Sequence, residues 1–258
     1  MHSSPLQGKS ILLTRAEHQL IGIDQKIRSR GATPVHLPCL AVEHLSNEIS
    51  QGIALLEEYN DVLFTSTNGV RSLESFCREH GRDLSTLLAH KRVAVVGEKS
   101  AAELRRIGID VDIIPETASQ EGLIDAYALH GLPKSLLFFR AQEGRERLAE
   151  ALQKQGVKVK TITAYRTVCP EGDATEIKTM LQAGVVDAVL LGSTKTARHY
   201  MQRIGSSELA NRPVVVAISD QMAAATEKLG LNVQVVAKEA SFEAMLDALA
   251  EYFDANPS

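Results

Sequence analysis

The 258 residues are enough for one large domain or two ordinary ones, and a hydrophobic content of 44% can fill sizeable cores. A net charge of −4 gives no general attraction for nucleic acid or an anionic membrane, so neither is expected as a partner. Any anionic ligand has to be met by local donors.

The chain opens with "MHSSPLQGKSILLTR", whose apolar run falls short of the core of about 7–15 residues that a secretory signal needs. No later stretch approaches the ~20 apolar residues of a membrane helix. A soluble, cytoplasmic protein is expected. The cysteines Cys39, Cys77 and Cys169 show neither CxxC nor Cys/His spacing and read as buried or idle thiols in a reducing compartment. The histidines, His18 and His199 among them, sit at no metal-ligand spacing and read as surface or capping groups, so no metal is expected.

Along the chain, "SILLTR", "DVLFTS", "RVAVVG", "SLLFFR", "DAVLLGS" and "PVVVAIS" alternate with stretches of helical period such as "AAELRRIG" and "GRERLAEALQKQG". Continuous Val, Ile and Leu runs read as strands covered on both faces, and their alternation with helices predicts a parallel α/β architecture. The order also repeats. "TRAEHQLIGIDQKIRSRG" pairs without a gap with "FRAQEGRERLAEALQKQG", setting Arg15 against Arg140 and the helix-ending Gly31 against Gly156. "FTSTNGV" pairs with "LGSTKTA", and "VVGEKSAAELRRIG" with "AISDQMAAATEKLG". Two similar halves of five strands each are predicted.

Each half has one unusual stretch after its leading helix. In "ATPVHLPCLAVE" the prolines Pro34 and Pro38 exclude a central place in a sheet. "VKVKTITAYRTV" alternates polar and apolar residues as a half-exposed strand does. Both read as edge or connecting strands, the second with Tyr165 on it.

In open α/β sheets ligands bind outside the carboxyl ends of the strands. Those ends carry Thr14-Arg15, Thr65-Ser66-Thr67-Asn68, Gly97-Glu98-Lys99-Ser100, Phe139-Arg140, Gly192-Ser193-Thr194-Lys195 and Ser219-Asp220-Gln221. Ser, Thr, Asn and Gly here cap helices, and such loops also offer N–H and hydroxyl donors to carboxylates or phosphates. For any single loop, plain capping accounts for the residues; six loops of one kind favour an anion site between domains. No GxGxxG, GxxxxGK[ST] or GxSxG occurs where a dinucleotide, P-loop or hydrolase site requires it.

The series "ILLTRAEHQ", "FTSTNGV", "VVGEKSAAELRRIGI", "SQEGL", "LFFRAQEGRERLAEALQKQGVKV", "AYRTV", "LGSTKTA" and "AISDQMAAATEKLG" resembles uroporphyrinogen-III synthases over nearly the whole chain. The resemblance implies two flavodoxin-like α/β domains, the first discontinuous (1–36 plus 168–258) and the second 37–167. A two-stranded β linker at about 33–42 and 158–168 joins them. It implies a cyclising lyase that takes hydroxymethylbilane, a linear tetrapyrrole with eight carboxylates, loses its terminal hydroxyl as water, inverts the last pyrrole ring and closes uroporphyrinogen III. This is a step toward heme and siroheme that uses no cofactor. A monomer is implied, with transient handover of substrate from hydroxymethylbilane synthase.

The resemblance places the family's tyrosine at Tyr165, where the phenol faces the departing hydroxyl. Substrate-binding positions are implied at Arg15, Thr65, Ser66, Asn68, Ser100, Arg140, Ser193, Thr194, Ser219 and Gln221. Arg15 and Arg140 are candidates for bidentate carboxylate contacts, or equally for salt bridges to a neighbouring helix. Two positions depart from the family's pattern: Met222 stands where a hydroxyl is usual, and Ser219 where glycine is common. The alternative reading is a non-catalytic two-domain protein that binds a tetrapyrrole or another solute.

Overall fold

The structure, a computed structural model, describes residues 4–16, 22–144 and 147–256. His18 lies outside them. The first half of the chain runs β1 (Ser10–Leu13), α1 (Ile23–Arg28), β2 (Thr33–His36), β3 (Ala41–His44), α2 (Ser46–Ala54), β4 (Asp61–Phe64), α3 (Thr67–Glu79), α4 (Leu84–Leu88), β5 (Arg92–Val95), α5 (Glu98–Arg106) and α6 (Gln120–His130). It continues with β6 (Ser135–Ala141), α7 (Arg147–Lys154), β7 (Lys158–Val168), α8 (Thr175–Gln182), β8 (Ala188–Leu191), α9 (Thr194–Ile204), α10 (Ser207–Ala210), β9 (Val214–Ala217), α11 (Asp220–Glu227), β10 (Val233–Val236) and α12 (Phe242–Ala255). Each apolar run read as a strand is one. Among the described residues, no helix is long and apolar enough to cross a membrane.

The chain divides into two compact units, residues 1–41 with 168–258 and residues 42–167. Each holds a five-stranded sheet, ordered β10-β9-β8-β1-β2 and β3-β7-β6-β4-β5. The ladders β1–β2, β1–β8, β8–β9 and β9–β10 are parallel, as are β4–β5, β4–β6 and β6–β7. With its strands counted in chain order, the first sheet reads 2-1-3-4-5, the flavodoxin-like order.

The second sheet repeats four of these places as β7-β6-β4-β5. Its counterpart of β10 is a single bridge between Ala94 and Ile113. Pro115, two residues on, has no N–H to extend that pairing. The fifth strand is instead β3, on the opposite edge beside β7. The count of five per half therefore holds, but the fifth strands are not equivalent.

The same strand revises the reading of the two unusual stretches. Residues 33–42 are not one strand: β2 closes the edge of the first sheet, carrying Pro34 there, and β3 belongs to the second. Between them, Leu37 and Cys39 donate their N–H groups to Leu13 and Thr14, so this stretch still follows β1. β7 is not an edge strand, because β3 covers it, although Lys158, Lys160 and Arg166 remain exposed.

Each sheet is buried on both faces, which is why its strands look continuously apolar. In the second unit, Val62, Phe64, Val93, Leu137, Phe139 and Ile162 pack toward α2, α3 and α5, while Leu63, Ala94, Leu136 and Phe138 pack toward α6 and α7. In the first unit, Leu12, Val189 and Val215 share one core with α8, α9 and α11, and Ile11, Leu13 and Val216 share the other with α1 and α12. Burying each such side chain contributes about 1.5–3 kcal/mol. Parallel strands with cores on both sides leave the carboxyl ends and their loops as the place for chemistry. Gly31 and Gly156 stop the helices that follow β1 and β6, with φ of 82° and 87°.

Candidate functional site

In the second unit the carboxyl ends of β4, β5, β6 and β7 bring together Thr65, Ser66, Asn68, Ser100, Arg140 and Tyr165 on neighbouring strands of one sheet. Ser66 ends the apolar run of β4 in an extended conformation, and its Oγ accepts the Gly69 N–H at 3.2 Å, capping α3. Thr65 and Asn68 beside it are half-buried. The Asn68 carbonyl accepts the Ser72 hydroxyl at 2.6 Å. At the end of β5, Gly97 caps α5 without a side chain, and Ser100, three residues on, is buried in the first turn.

Tyr165 lies near the end of β7, opposite Ala141, just past a register shift after Arg140. The residue is only 6% exposed and its ring joins the core that holds Phe64 and Phe139. Its Oη is 2.7 Å from Ser66 Oγ. Burial pushes the phenol above the ordinary tyrosine value; the Ser66 hydrogen bond works against that and the Glu143 carboxylate adds to it. The group is therefore a protonated donor at neutral pH.

Among the described residues, the bonds of the Arg140 guanidinium run to carbonyl groups of its own loop. It is buried, its Nε donates to the Ala141 carbonyl at 3.2 Å, and its Nη2 donates to the Gly144 carbonyl. Gly144 makes room for this: a Cβ there would come within 2.6 Å of the guanidinium. With its donors turned onto its own loop, Arg140 shapes that loop.

In the first unit the corresponding strand ends carry Arg15, Ser193, Thr194, Ser219 and Gln221. Ser193 caps α9 by accepting the Thr196 N–H at 3.1 Å, and Ser219 caps α11 by accepting that of Met222 at 3.3 Å. Capping uses each oxygen as an acceptor and leaves the Ser219 hydroxyl its proton to donate, whereas Ser193 Oγ also lies 2.7 Å from Thr196 Oγ1. Thr194 is half-buried and Gln221 exposed. Met222, where the resemblance leads one to expect a hydroxyl, is buried, and its sulfur accepts from Thr226 Oγ1 at 3.3 Å. Arg15, half-buried, has its guanidinium 5.6 Å from the centre of the Phe242 ring.

Two features had no part in the sequence reading of the site. Gly69 determines what Ser66 can bond to, and its pairing with Thr196 was visible in the aligned "FTSTNGV" and "LGSTKTA". Glu143 bears on the Tyr165 phenol, but nothing in its neighbourhood of sequence points to that. His199, read as a surface or capping group, is buried, with Nδ1 2.6 Å from the Cys39 carbonyl oxygen. Among the described residues no group of three or more His, Cys, Asp or Glu is arranged to hold a metal ion.

The family model described as Uroporphyrinogen-III synthase HemD matches residues 22–247. The uroporphyrinogen-III synthase of Synechococcus elongatus is 27% identical over 261 residues, covering 98% of each chain. That of Chlorobaculum parvum is 25% identical over 94% of this chain and 98% of its own. Among solved structures, the uroporphyrinogen-III synthetase of Helicobacter pylori superposes with a TM-score of 0.62 at 17% identity, over 95% of this chain and 99% of the other, a likeness of fold. A family match that spans most of the sequence, on two sheets with helix-capping loops at their carboxyl ends, establishes that this chain belongs to the uroporphyrinogen-III synthase family.

Proposed function

We propose that the protein catalyses the dehydrating cyclisation of hydroxymethylbilane to uroporphyrinogen III with inversion of the terminal pyrrole ring, acting as a cyclising hydro-lyase. Monomeric action in the cytoplasm, with handover of the bilane from hydroxymethylbilane synthase, belongs to the same proposal. The observation that carries it is the buried Tyr165 phenol, held 2.7 Å from the Ser66 hydroxyl at the carboxyl edge of a parallel sheet.

The chemistry asks little of strong acids or bases. The lone pair of the pyrrole nitrogen expels the hydroxyl from the neighbouring methylene while Tyr165 passes its proton to the departing oxygen, which leaves as water, so that an azafulvenium cation and a phenolate remain. The electrophilic methylene is then attacked by the terminal ring at its substituted α-carbon, giving a spiro intermediate whose rearrangement inverts that ring before closure. The proton lost at closure restores the phenol. Unassisted, the same bilane closes without inversion to the type I isomer, so the protein's main contribution is to position the reacting ends.

The eight carboxylates of the substrate call for many donors. In this reading they are met by hydroxyls and N–H groups of the strand-end loops around Thr65, Asn68, Ser100, Ser193, Thr194, Ser219 and Gln221, and by Arg15, while the loop of Ser66 offers backbone N–H groups and its hydroxyl stays with Tyr165. Arg140 supports the loop beside Tyr165. The test is the product isomer. Freshly prepared hydroxymethylbilane given to the purified protein should yield mostly type III isomer after oxidation and chromatography; type I alone, at the rate of buffer, would reject the assignment.

A further inference from the structure

The two units carry equivalent capping loops that differ in what meets the capping hydroxyl. In the first unit, Ser193 caps α9 and its Oγ also lies 2.7 Å from Thr196 Oγ1, so the helix itself occupies the capping hydroxyl. In the second unit the position equivalent to Thr196 is Gly69, and the hydroxyl of Ser66 is taken up by Tyr165 instead, at 2.7 Å. Neither backbone nor space demands glycine there. Gly69 is not among the residues with positive φ, and a Cβ on it would meet its nearest neighbours, Phe139 O and Phe64 Cδ1, at 3.6 and 3.7 Å, ordinary contact distances. What the missing side chain does is leave Ser66 available across the sheet.

We infer that Ser66 is a positioning residue for the reaction: it acts through Tyr165, holding the phenol oxygen and donating to it while the phenol's single proton is directed at the departing hydroxyl. A serine hydroxyl has one proton and two acceptor sites. The Gly69 N–H fills one acceptor site and fixes the oxygen. The O–H then turns onto Tyr165 Oη, so the phenol does not have to give its proton to Ser66. The N–H sits at the positive end of the thirteen-residue α3, which polarises Ser66 in the direction that stabilises charge developing on the phenol oxygen. The proton of Ser66 stays on Ser66 throughout. The Ser66 contact draws the phenol's pKa down, against the larger upward push of burial, and this agrees with the geometry.

The inference rests on the proposed function for what Tyr165 does to substrate, whereas the effect of Ser66 on Tyr165 can be read without substrate. The experiment follows the Tyr165 phenol by NMR in protein carrying ring-labelled tyrosine, with Tyr165→Phe identifying the resonance. Ser66→Ala should raise the Tyr165 pKa, and Ser66→Thr, which keeps a hydroxyl on an extended capping residue, should restore it. Gly69→Ser should also raise it, by supplying the competing helix hydroxyl found in the first unit while leaving the cap in place. In turnover, Ser66→Ala should lower kcat about tenfold, the loss of one hydrogen bond at the transition state, with KM little changed and Ser66→Thr recovering most of the rate. A Tyr165 titration that is the same in Ser66→Ala and Gly69→Ser as in the parent overturns the inference, as does a Ser66→Ala effect confined to KM. If the titration shifts but the parent makes no type III isomer, the proposed function fails and the reaction role of Ser66 with it, leaving only a coupled pair.

Discussion

Asp112 and Gln234 do the same work in the two units: the Oδ2 of Asp112 accepts the Val93 N–H at 2.7 Å, and the Oε1 of Gln234 accepts the Val215 N–H at 2.8 Å. Each pair is nineteen residues apart, and the sequence repeat sets Asp112 against Gln234 and Val93 against Val215. In the first unit the side chain covers an irregularity in the β9–β10 ladder between Val233 and Val235; in the second it stands in for a ladder reduced to one bridge. The repeat is thus preserved in how particular backbone groups are satisfied, and not only in the order of elements.

Removing either acceptor strands an N–H on a buried strand residue. Asp112→Ala and Gln234→Ala should each cost about 1–3 kcal/mol in urea unfolding, whereas Asp112→Asn, which keeps an acceptor oxygen, should stay close to the parent. Equal midpoints for Asp112→Ala and Asp112→Asn would show that water takes over the N–H.

Tyr165→Phe keeps the ring in the core of the second unit and deletes only the phenol oxygen. Unfolding should shift by no more than about 1 kcal/mol, since Ser66 retains its bond to the Gly69 N–H. Turnover should fall about 100-fold, within the range of a positioned acid, with product still type III. Parent-like turnover in rapid-mixing assays would remove Tyr165 from the chemistry.

Burial raises the phenol pKa values of Tyr127, Tyr165 and Tyr200. A phenol kept protonated by the fold supports the native state fully below the unfolded value of about 10, and that support is lost as pH rises beyond it. Urea midpoints should be level across neutral pH on account of these groups and fall steeply above about pH 10, together with a cooperative rise in tyrosinate absorbance. Tyrosinate appearing gradually in a protein whose midpoint does not move would contradict this.

Ser219 tests whether a capping hydroxyl also serves a ligand. As a cap, Ser219→Ala should cost about 1 kcal/mol but Ser219→Gly only a few tenths, because glycine is tolerated at that position. If the hydroxyl also donates to a substrate carboxylate, both variants should raise KM about fivefold, a modest hydrogen bond's worth. A KM unchanged in Ser219→Gly would make Ser219 a cap and nothing more.

Much of this molecule is local and therefore readable in one dimension. Continuous Val, Leu and Phe runs specify strands with two covered faces, helical period specifies the connections, Gly31 and Gly156 stop helices, and serines at strand ends start them. These depend on neighbours a few residues away, and so the α/β class, the duplication and the candidate loops could be stated from sequence. Which partner a side chain meets across the sheet is another matter. Ser66 and Tyr165 are ninety-nine residues apart, and their contact exists only because β4, β6 and β7 lie side by side. β3 covers β7 although its residues read as a linker, and Arg140, read as a partner for a carboxylate or a neighbouring helix, donates to carbonyls of its own loop where Gly144 leaves space. The physical reason is the same in each case. Periodicity reports which face of an element is apolar, whereas the partner of a polar group is selected by strand order, register and the space left by packing, all of which are set at long range.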